Sequence, residues 1–172
     1  MFKRLLVPID GSKLSQLAVP YAAHLAATLG SEIVLLYVLP KPHEAQDGPK
    51  VPDPEQRHEL EQIGQRALNE ALRLIGVPAH QVLQAALNDD VSGTILDVTE
   101  EQGADLIVIS SHGLGCTTPG RGMMGSTAER VMARAKTPVL LVRDNAAIDA
   151  LSHSQPSSED GTDGASLTQS TS

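Results

Sequence analysis

The sequence predicts an α/β fold, a doubly wound parallel sheet with helices on both faces. Three observations carry this expectation. Short aliphatic runs alternate with segments whose apolar residues recur at helical spacing. One run, Asp105-Leu-Ile-Val-Ile109, is apolar at successive positions, as a strand covered on both faces must be. The length, 172 residues, suits one domain with an appendage. Five strands with four crossings, β-α-β-α-β-α-β-α-β, imply right-handed crossovers and ligands at the carboxyl ends of the strands.

The elements follow in order. Residues 3–9 form a short apolar run closed by Asp10-Gly11-Ser12, a buried strand ending in a turn that can cap a helix. A helix is predicted over Ser12 to Leu29, with an apolar stripe of Leu14, Leu17, Ala18, Tyr21, Leu25 and Leu29, and with Gly30 as its stop. Pro20 removes one backbone donor and is expected to kink or delay this helix. Glu32 to Val38 reads as the second strand. Five prolines in residues 40–54 read as a surface loop without regular structure. Leu60, Ile63, Ala67, Leu68, Ala71, Leu72 and Ile75 predict a second helix over Glu55 to Ile75, ended by Gly76 and Pro78.

Val82 to Leu87 is the predicted third strand. Asn88-Asp89-Asp90 offers side-chain oxygens to cap a third helix with a stripe of Val91, Ile95 and Val98, which Gly103 ends. The fourth strand is Asp105 to Ile109, and the glycine-rich stretch 113–125 follows it. A helix from Ser126 to about Ala135 is expected to bury Ala128, Val131, Met132 and Ala135, and Pro138 to Val142 is the fifth strand.

Composition narrows the function. Hydrophobic residues make up 41% of the chain, but Phe2, Tyr21 and Tyr37 are its only aromatics, so the core is aliphatic and base-stacking modules fit poorly. A net charge of -8 argues against a nucleic-acid binder, whose affinity comes from clustered Lys and Arg. The single cysteine, Cys116, forms no internal disulfide, and no apolar run reaches the roughly 20 residues that span a bilayer. The N-terminal run is too short for a signal peptide, so the expectation is a cytoplasmic protein without a membrane segment. Residues 144–172 hold 5 of the 21 acidic residues and no Lys or Arg, and 10 of the last 21 residues are Ser or Thr. Such a segment reads as a disordered acidic tail beside a domain of residues 1–143, suited to phosphorylation or to tethering a protein partner.

The informative constellation is Ser110-Ser-His-Gly113-Leu-Gly115 followed by Gly120-Arg-Gly122-Met-Met-Gly125-Ser126-Thr127. It lies between a buried strand and a helix, where glycine amides, hydroxyls and the positive end of a helix dipole converge on one anion. Phosphate is the natural guest, and a merely mobile loop is the bland alternative. His112 reads either as a phosphate donor or as an exposed loop histidine. Arg121 reads as a solvated loop cation or a phosphate fork, Cys116 as a free thiol, and Met123 and Met124 as packing.

With these residues in view the sequence resembles the universal stress protein family over residues 2–143. Four blocks carry the resemblance: Arg4-Leu-Leu-Val-Pro-Ile-Asp-Gly-Ser12, Gly103-Ala-Asp-Leu-Ile-Val-Ile-Ser-Ser-His-Gly113, Gly125-Ser-Thr-Ala-Glu-Arg-Val131 and Lys136-Thr-Pro-Val-Leu-Leu-Val-Arg143. The resemblance implies the strand order 3-2-1-4-5, dimerisation and, in one branch, ATP held by Gly-x2-Gly-x9-Gly-Ser/Thr; in that order the uncharged run Val139 to Val142 ends the sheet, so the homodimer is expected to pair through the fifth strand. Gly113 matches the second glycine of that pattern, and Gly125 with Ser126 its closing pair. Ser110 stands at the first glycine. Eleven residues rather than nine separate Gly113 from Gly125, so the segment looks two residues longer than the family's. A register starting from Gly115 restores the spacing but puts His112 at the first glycine. By the same resemblance Pro8, Ile9, Asp10 and Val38 border an adenosine, while Thr127 stands beside Ser126 in the constellation read above as an anion cradle. Asp10 reads equally as a helix-capping carboxylate beside Ser12.

The implied ligand is an adenine nucleotide, ATP or AMP, with Mg²⁺. The sequence lacks Gly-x4-Gly-Lys-Ser/Thr, Gly-x-Ser-x-Gly and His-Glu-x-x-His, and no metal ligands or catalytic residues are assigned. The leading expectation is therefore a nucleotide-dependent regulatory switch with at most slow ATP hydrolysis. The alternative is a dimeric interaction module that has lost nucleotide binding.

Overall fold

The computed structural model describes residues 2–39, 54–85, 90–113 and 124–143, with the side chains of 83–85 left aside. Five strands, β1 (Arg4–Ile9), β2 (Glu32–Leu39), β3 (Ala79–Ala85), β4 (Leu106–Ser110) and β5 (Val139–Val142), form one sheet in the order β3-β2-β1-β4-β5. Every neighbouring pair is parallel. The helices are α1 (Ala18–Leu29), α2 (Pro54–Leu72), α3 (Val91–Glu101) and α4 (Ser126–Arg134).

The period of two along each strand sorts the apolar side chains into two cores. Leu5, Val7 and Ile9 join Ile33, Leu35 and Val108 beneath α1 and α2, whereas Leu6 joins Val34, Leu36, Ile107 and Ile109 beneath α3 and α4. Leu5, Leu6, Leu35, Leu36 and Ile107 are completely buried, each contributing about 2 kcal/mol of transfer free energy. The doubly wound expectation holds, and the cores lie on both faces of the sheet.

Several boundaries and faces differ from those expected. The segment after Ser12 begins with a 3-10 turn, Ser15–Leu17, and the α-helix starts only at Ala18. That start puts Pro20 in the first helical turn, where its missing N–H has no intrahelical partner to lose. The buried face of α1 is Ala18, Val19, Ala22 and Ala26, and Tyr21 is half exposed. Pro54, assigned to the loop, is instead the first residue of α2, a position that proline's fixed φ suits. In α2 the buried set Gly64, Ala67, Leu68 and Ala71 follows the i, i+3, i+4, i+7 pattern, leaving Ile63 and Leu72 exposed. Met132 of α4 is likewise exposed. β3 starts three residues earlier than expected, because its ladder with β2 runs from Ile33↔Ala79 to Leu39↔Ala85. Residues 86 and 87 of the predicted strand, Arg121, Cys116, Met123 and the acidic tail from 144 lie outside the described residues.

Asp90 is the oxygen that caps α3. Its carboxylate accepts from the Gly93 amide at 2.8 Å, from the Ser92 hydroxyl at 2.6 Å and from Arg134 of α4 at 2.9 Å. These donors, Ser92 first, hold its pKa far below the usual carboxylate range. A depressed pKa gives stability that is present above the unfolded value, about 4, and lost as the pH falls toward the folded one. Asp90→Asn is therefore expected to lower Tm by about 3 °C at pH 7 and to flatten the fall of Tm below pH 4, which melting curves across pH 2.5 to 7 would measure. An unchanged acid limb would show that the cap does not set acid stability.

Candidate functional site

The sheet opens where its winding reverses. β1 pairs with β2 along its whole length, through Ile9↔Tyr37, and β4 pairs with β5 through Ser110↔Val142. Between them, β1 and β4 pair only at Leu5↔Leu106 and Leu6↔Ile107. The sequence supplies the cause. The Lys3 carbonyl accepts from β2 and the Arg4 carbonyl from Asp105, so backbone groups alternate between the two neighbours. That alternation turns the Pro8 nitrogen toward β4, and proline has no N–H to donate. The ladder stops, and a crevice forms at the carboxyl ends of the central strands, where open α/β sheets bind ligands.

All ten residues singled out from the sequence line this one cleft. Pro8, Ile9 and Asp10 come from the end of β1, Val38 from β2, Ser110, His112 and Gly113 from the end of β4, and Gly125, Ser126 and Thr127 from the start of α4. Sequence reading missed Ser15, Val91, Ile95, Ile109, Ser111 and Ala128. Val91, Ile95 and Ala128 already carried a helical signal as a buried stripe. What was not legible is that the second core opens at its top, so the same stripe forms the cleft wall with Pro8, Val38 and Ile109.

The β1 turn is built from short-range bonds. The Ser12 amide donates to Asp10 Oδ1 at 2.9 Å, the Asp10 amide to Ser15 Oγ at 3.2 Å, and the Ser15 amide to Ser12 Oγ at 3.0 Å. Gly11 takes φ 83°, a conformation that strains any other residue. The Asp10 carboxylate lies against Gly113, so closely that a Cβ on Gly113 would collide with it. Gly113 thus leaves room for the Asp10 carboxylate at the cleft floor. Burial, and then the charge of Asp10, push the Tyr37 phenol above its ordinary pKa.

Helix α4 starts differently from α3. Its N-cap is Gly125, which makes no side-chain cap bond, and the first helical bond runs from the Glu129 amide to the Gly125 carbonyl. Among the described residues the amides of Ser126, Thr127 and Ala128 therefore have no intrahelical acceptor and no capping oxygen, and these three residues line the cleft. Gly125 has φ −64° and ψ 139°, ordinary extended angles, so conformation does not require glycine there. Nor does packing within the fold: its amide donates to the Ser111 carbonyl at 2.8 Å, and an added Cβ would sit 3.4 Å from that oxygen, an ordinary contact.

His112 is not an exposed loop residue. It is 3% exposed, its Nδ1 lies 2.7 Å from Ser111 Oγ, and its buried Nε2 has no hydrogen-bond partner among the described residues. Ser110, at the position of the missing first glycine, is 5% exposed, and its hydroxyl receives a long 3.4 Å contact from the His112 amide. Met124 packs against the second core, as expected for a packing residue. Among the described residues no cluster of three or more His, Cys, Asp or Glu can hold a metal, and no helix is long and apolar enough to cross a membrane.

Fold and cleft together define a five-stranded α/β domain with a switch-point crevice that ends on an uncapped helix. The family model for the universal stress protein family matches residues 1–143, and the chain belongs to that family. Universal stress protein Sll1654 of Synechocystis sp. is 31% identical over 144 residues, covering 83% of this chain and 86% of its own. The solved structure of a universal stress protein in complex with cAMP matches with TM-score 0.57 and 23% identity, over 83% of this chain and 97% of its own. That of the universal stress protein from Archaeoglobus fulgidus in complex with dAMP matches with TM-score 0.56 and 19% identity, over 83% and 98%. At these identities the two structures establish likeness of fold.

Proposed function

We propose that the chain is an adenine nucleotide-binding regulatory protein that works as a homodimer in the cytoplasm. The observation that carries this reading is the uncapped start of α4: three backbone amides and a helix dipole face a cleft at the sheet's switch point. A terminus left without a cap elsewhere in a protein costs stability, whereas a phosphoryl oxygen supplies the missing acceptors here. The residues present fit ATP or AMP. Gly113 and Gly125 keep the cradle clear of side chains, Pro8, Val38, Val91 and Ile95 offer an aliphatic wall to a purine, and Asp10 accepts from a ribose or adenine donor. Mg²⁺ would arrive on the phosphates, and it would neutralise charge next to Asp10. The complexes of related folds with cAMP and dAMP support the choice of adenine nucleotides.

A switch needs differential affinity, so the nucleotide must bind one arrangement of the 113–125 segment better than another. Melting curves test the reading. Millimolar Mg·ATP, ADP or AMP is expected to raise Tm, since a ligand at a hundredfold excess over Kd adds about 2.7 kcal/mol. If all three leave the curve unmoved, the nucleotide reading fails and the dimeric interaction module replaces it.

A further inference from the structure

We propose that the segment Ile148-Asp149-Ala-Leu151 of the chain's own acidic tail docks in the cleft when no ligand fills it; that a nucleotide then releases the tail rests on the reading above, whereas the docking does not. The cleft is an apolar groove that ends on backbone donors. Pro8, Val38 and Ile95 wall it, and Ser126 and Thr127, at the start of α4, close it. No Lys or Arg lines it among the described residues, and its one carboxylate there, Asp10, is held on the β1 side by the Ser12 amide at 2.9 Å. An occupant therefore needs aliphatic side chains beside a single acceptor group.

The tail carries that combination within reach. Val142 ends β5 beside the cleft: its carbonyl accepts from the Ser111 amide at 2.9 Å, and the Ser111 carbonyl accepts from the Gly125 amide at 2.8 Å. The tail thus departs two hydrogen bonds from the residue that precedes α4. Asp149 follows Val142 by seven residues, which span up to about 23 Å when extended. Ile148 and Leu151 are the first large apolar residues after β5, they flank Asp149, and no Lys or Arg follows Arg143.

The chain already uses an aspartate in this role. Asp90 caps α3 by accepting from the Gly93 amide at 2.8 Å, whereas α4 starts from Gly125, which has no side chain to offer. Asp149 supplies the acceptor that α4 lacks, and its charge suits the positive end of that helix. Ile148 and Leu151 cover the aliphatic wall. A segment too poor in apolar residues to fold alone can still dock from a tether, because a short flexible linker gives an effective concentration of about 1 mM. Nucleotide and tail then compete for one cleft, and binding is reported as release of an acidic segment rich in Ser and Thr.

Two measurements on the full chain test this. In ¹H–¹⁵N spectra without nucleotide, Asp149→Asn is expected to shift the amides of Ser126 and Thr127. Adding AMP is expected to move the Ile148 and Leu151 amides toward the positions they hold in a synthetic peptide of residues 144–155. In calorimetric titration, Ile148→Ser combined with Leu151→Ser is expected to tighten AMP binding about tenfold, the factor by which a tether at about 1 mM favours a segment with an intrinsic Kd of about 0.1 mM. None of these substitutions touches a residue of either core. Amides of Ser126 and Thr127 that ignore Asp149→Asn overturn the docking, as do differences that vanish on dilution, which would assign the cleft to the tail of another copy. An unchanged AMP affinity in the double variant overturns the competition. A wild type that binds no AMP removes the nucleotide reading alone, and the Asp149→Asn comparison still decides whether the tail docks.

Discussion

Replacing Gly125 with valine is expected to abolish the rise in Tm produced by Mg·ATP while leaving the ligand-free Tm within about 2 °C of wild type. The two halves of this expectation have different causes. Valine adopts φ −64° and ψ 139° readily, so the backbone is not strained, and its Cβ meets the Ser111 carbonyl at 3.4 Å, close to ordinary contact. Fold stability is therefore spared. The branched methyls, however, stand beside the open amides of Ser126, Thr127 and Ala128 in the cleft. Losing a ligand term of about 2.7 kcal/mol at a hundredfold excess over Kd removes a shift of roughly 8 °C for a domain of this size. A Gly125→Val protein that still shifts by the full amount would place the nucleotide elsewhere.

The second large effect concerns assembly. β5 pairs with β4 on one side only, and it ends the sheet. Its residues Val139, Leu140, Leu141 and Val142 carry no charge, and Leu140 is 37% exposed. An uncharged apolar edge is a hazard that proteins pair or cover. Pairing β5 with the same strand of a second copy across a two-fold axis makes the contact self-complementary. Leu140→Lys would place two ammonium groups beside that axis, and light scattering is expected to show a dimer for the wild type and a monomer for the variant. A monomeric wild type, or a variant that remains dimeric, would rule out this interface.

Much of the fold was legible because strands and glycines act locally. Successive apolar residues at 106–109 forced a doubly covered strand, and Gly30 marked the end of α1 with a left-handed φ of 68°. Helix faces were less legible. Large apolar side chains dominate the spacing, so Tyr21, Ile63 and Met132 read as inward, and although Ala67, Ala71 and Ala128 are buried as expected, the approach to the sheet through Ala22, Ala26 and Gly64 was not legible. Small residues allow close approach, and their weak hydrophobicity hides the pattern. For the cleft, the glycines and hydroxyls marked the side formed by the end of β4 and the start of α4. The tertiary consequences stayed hidden: Pro8 interrupting the β1–β4 ladder, Asp10 lying against Gly113, and His112 buried on Ser111 each depend on residues about a hundred positions apart or on burial that no spacing encodes.

The central claim is that an adenine nucleotide seats its phosphoryl group on the start of α4 at the switch point between β1 and β4. Amide ¹H–¹⁵N spectra recorded during a titration with Mg·ATP test it most directly. The expected result is that the largest shifts fall on Gly113, Ser126, Thr127 and Ala128, with smaller ones at Asp10 and Val38. Shifts confined to other surfaces, or a spectrum that does not change at millimolar nucleotide, would contradict it.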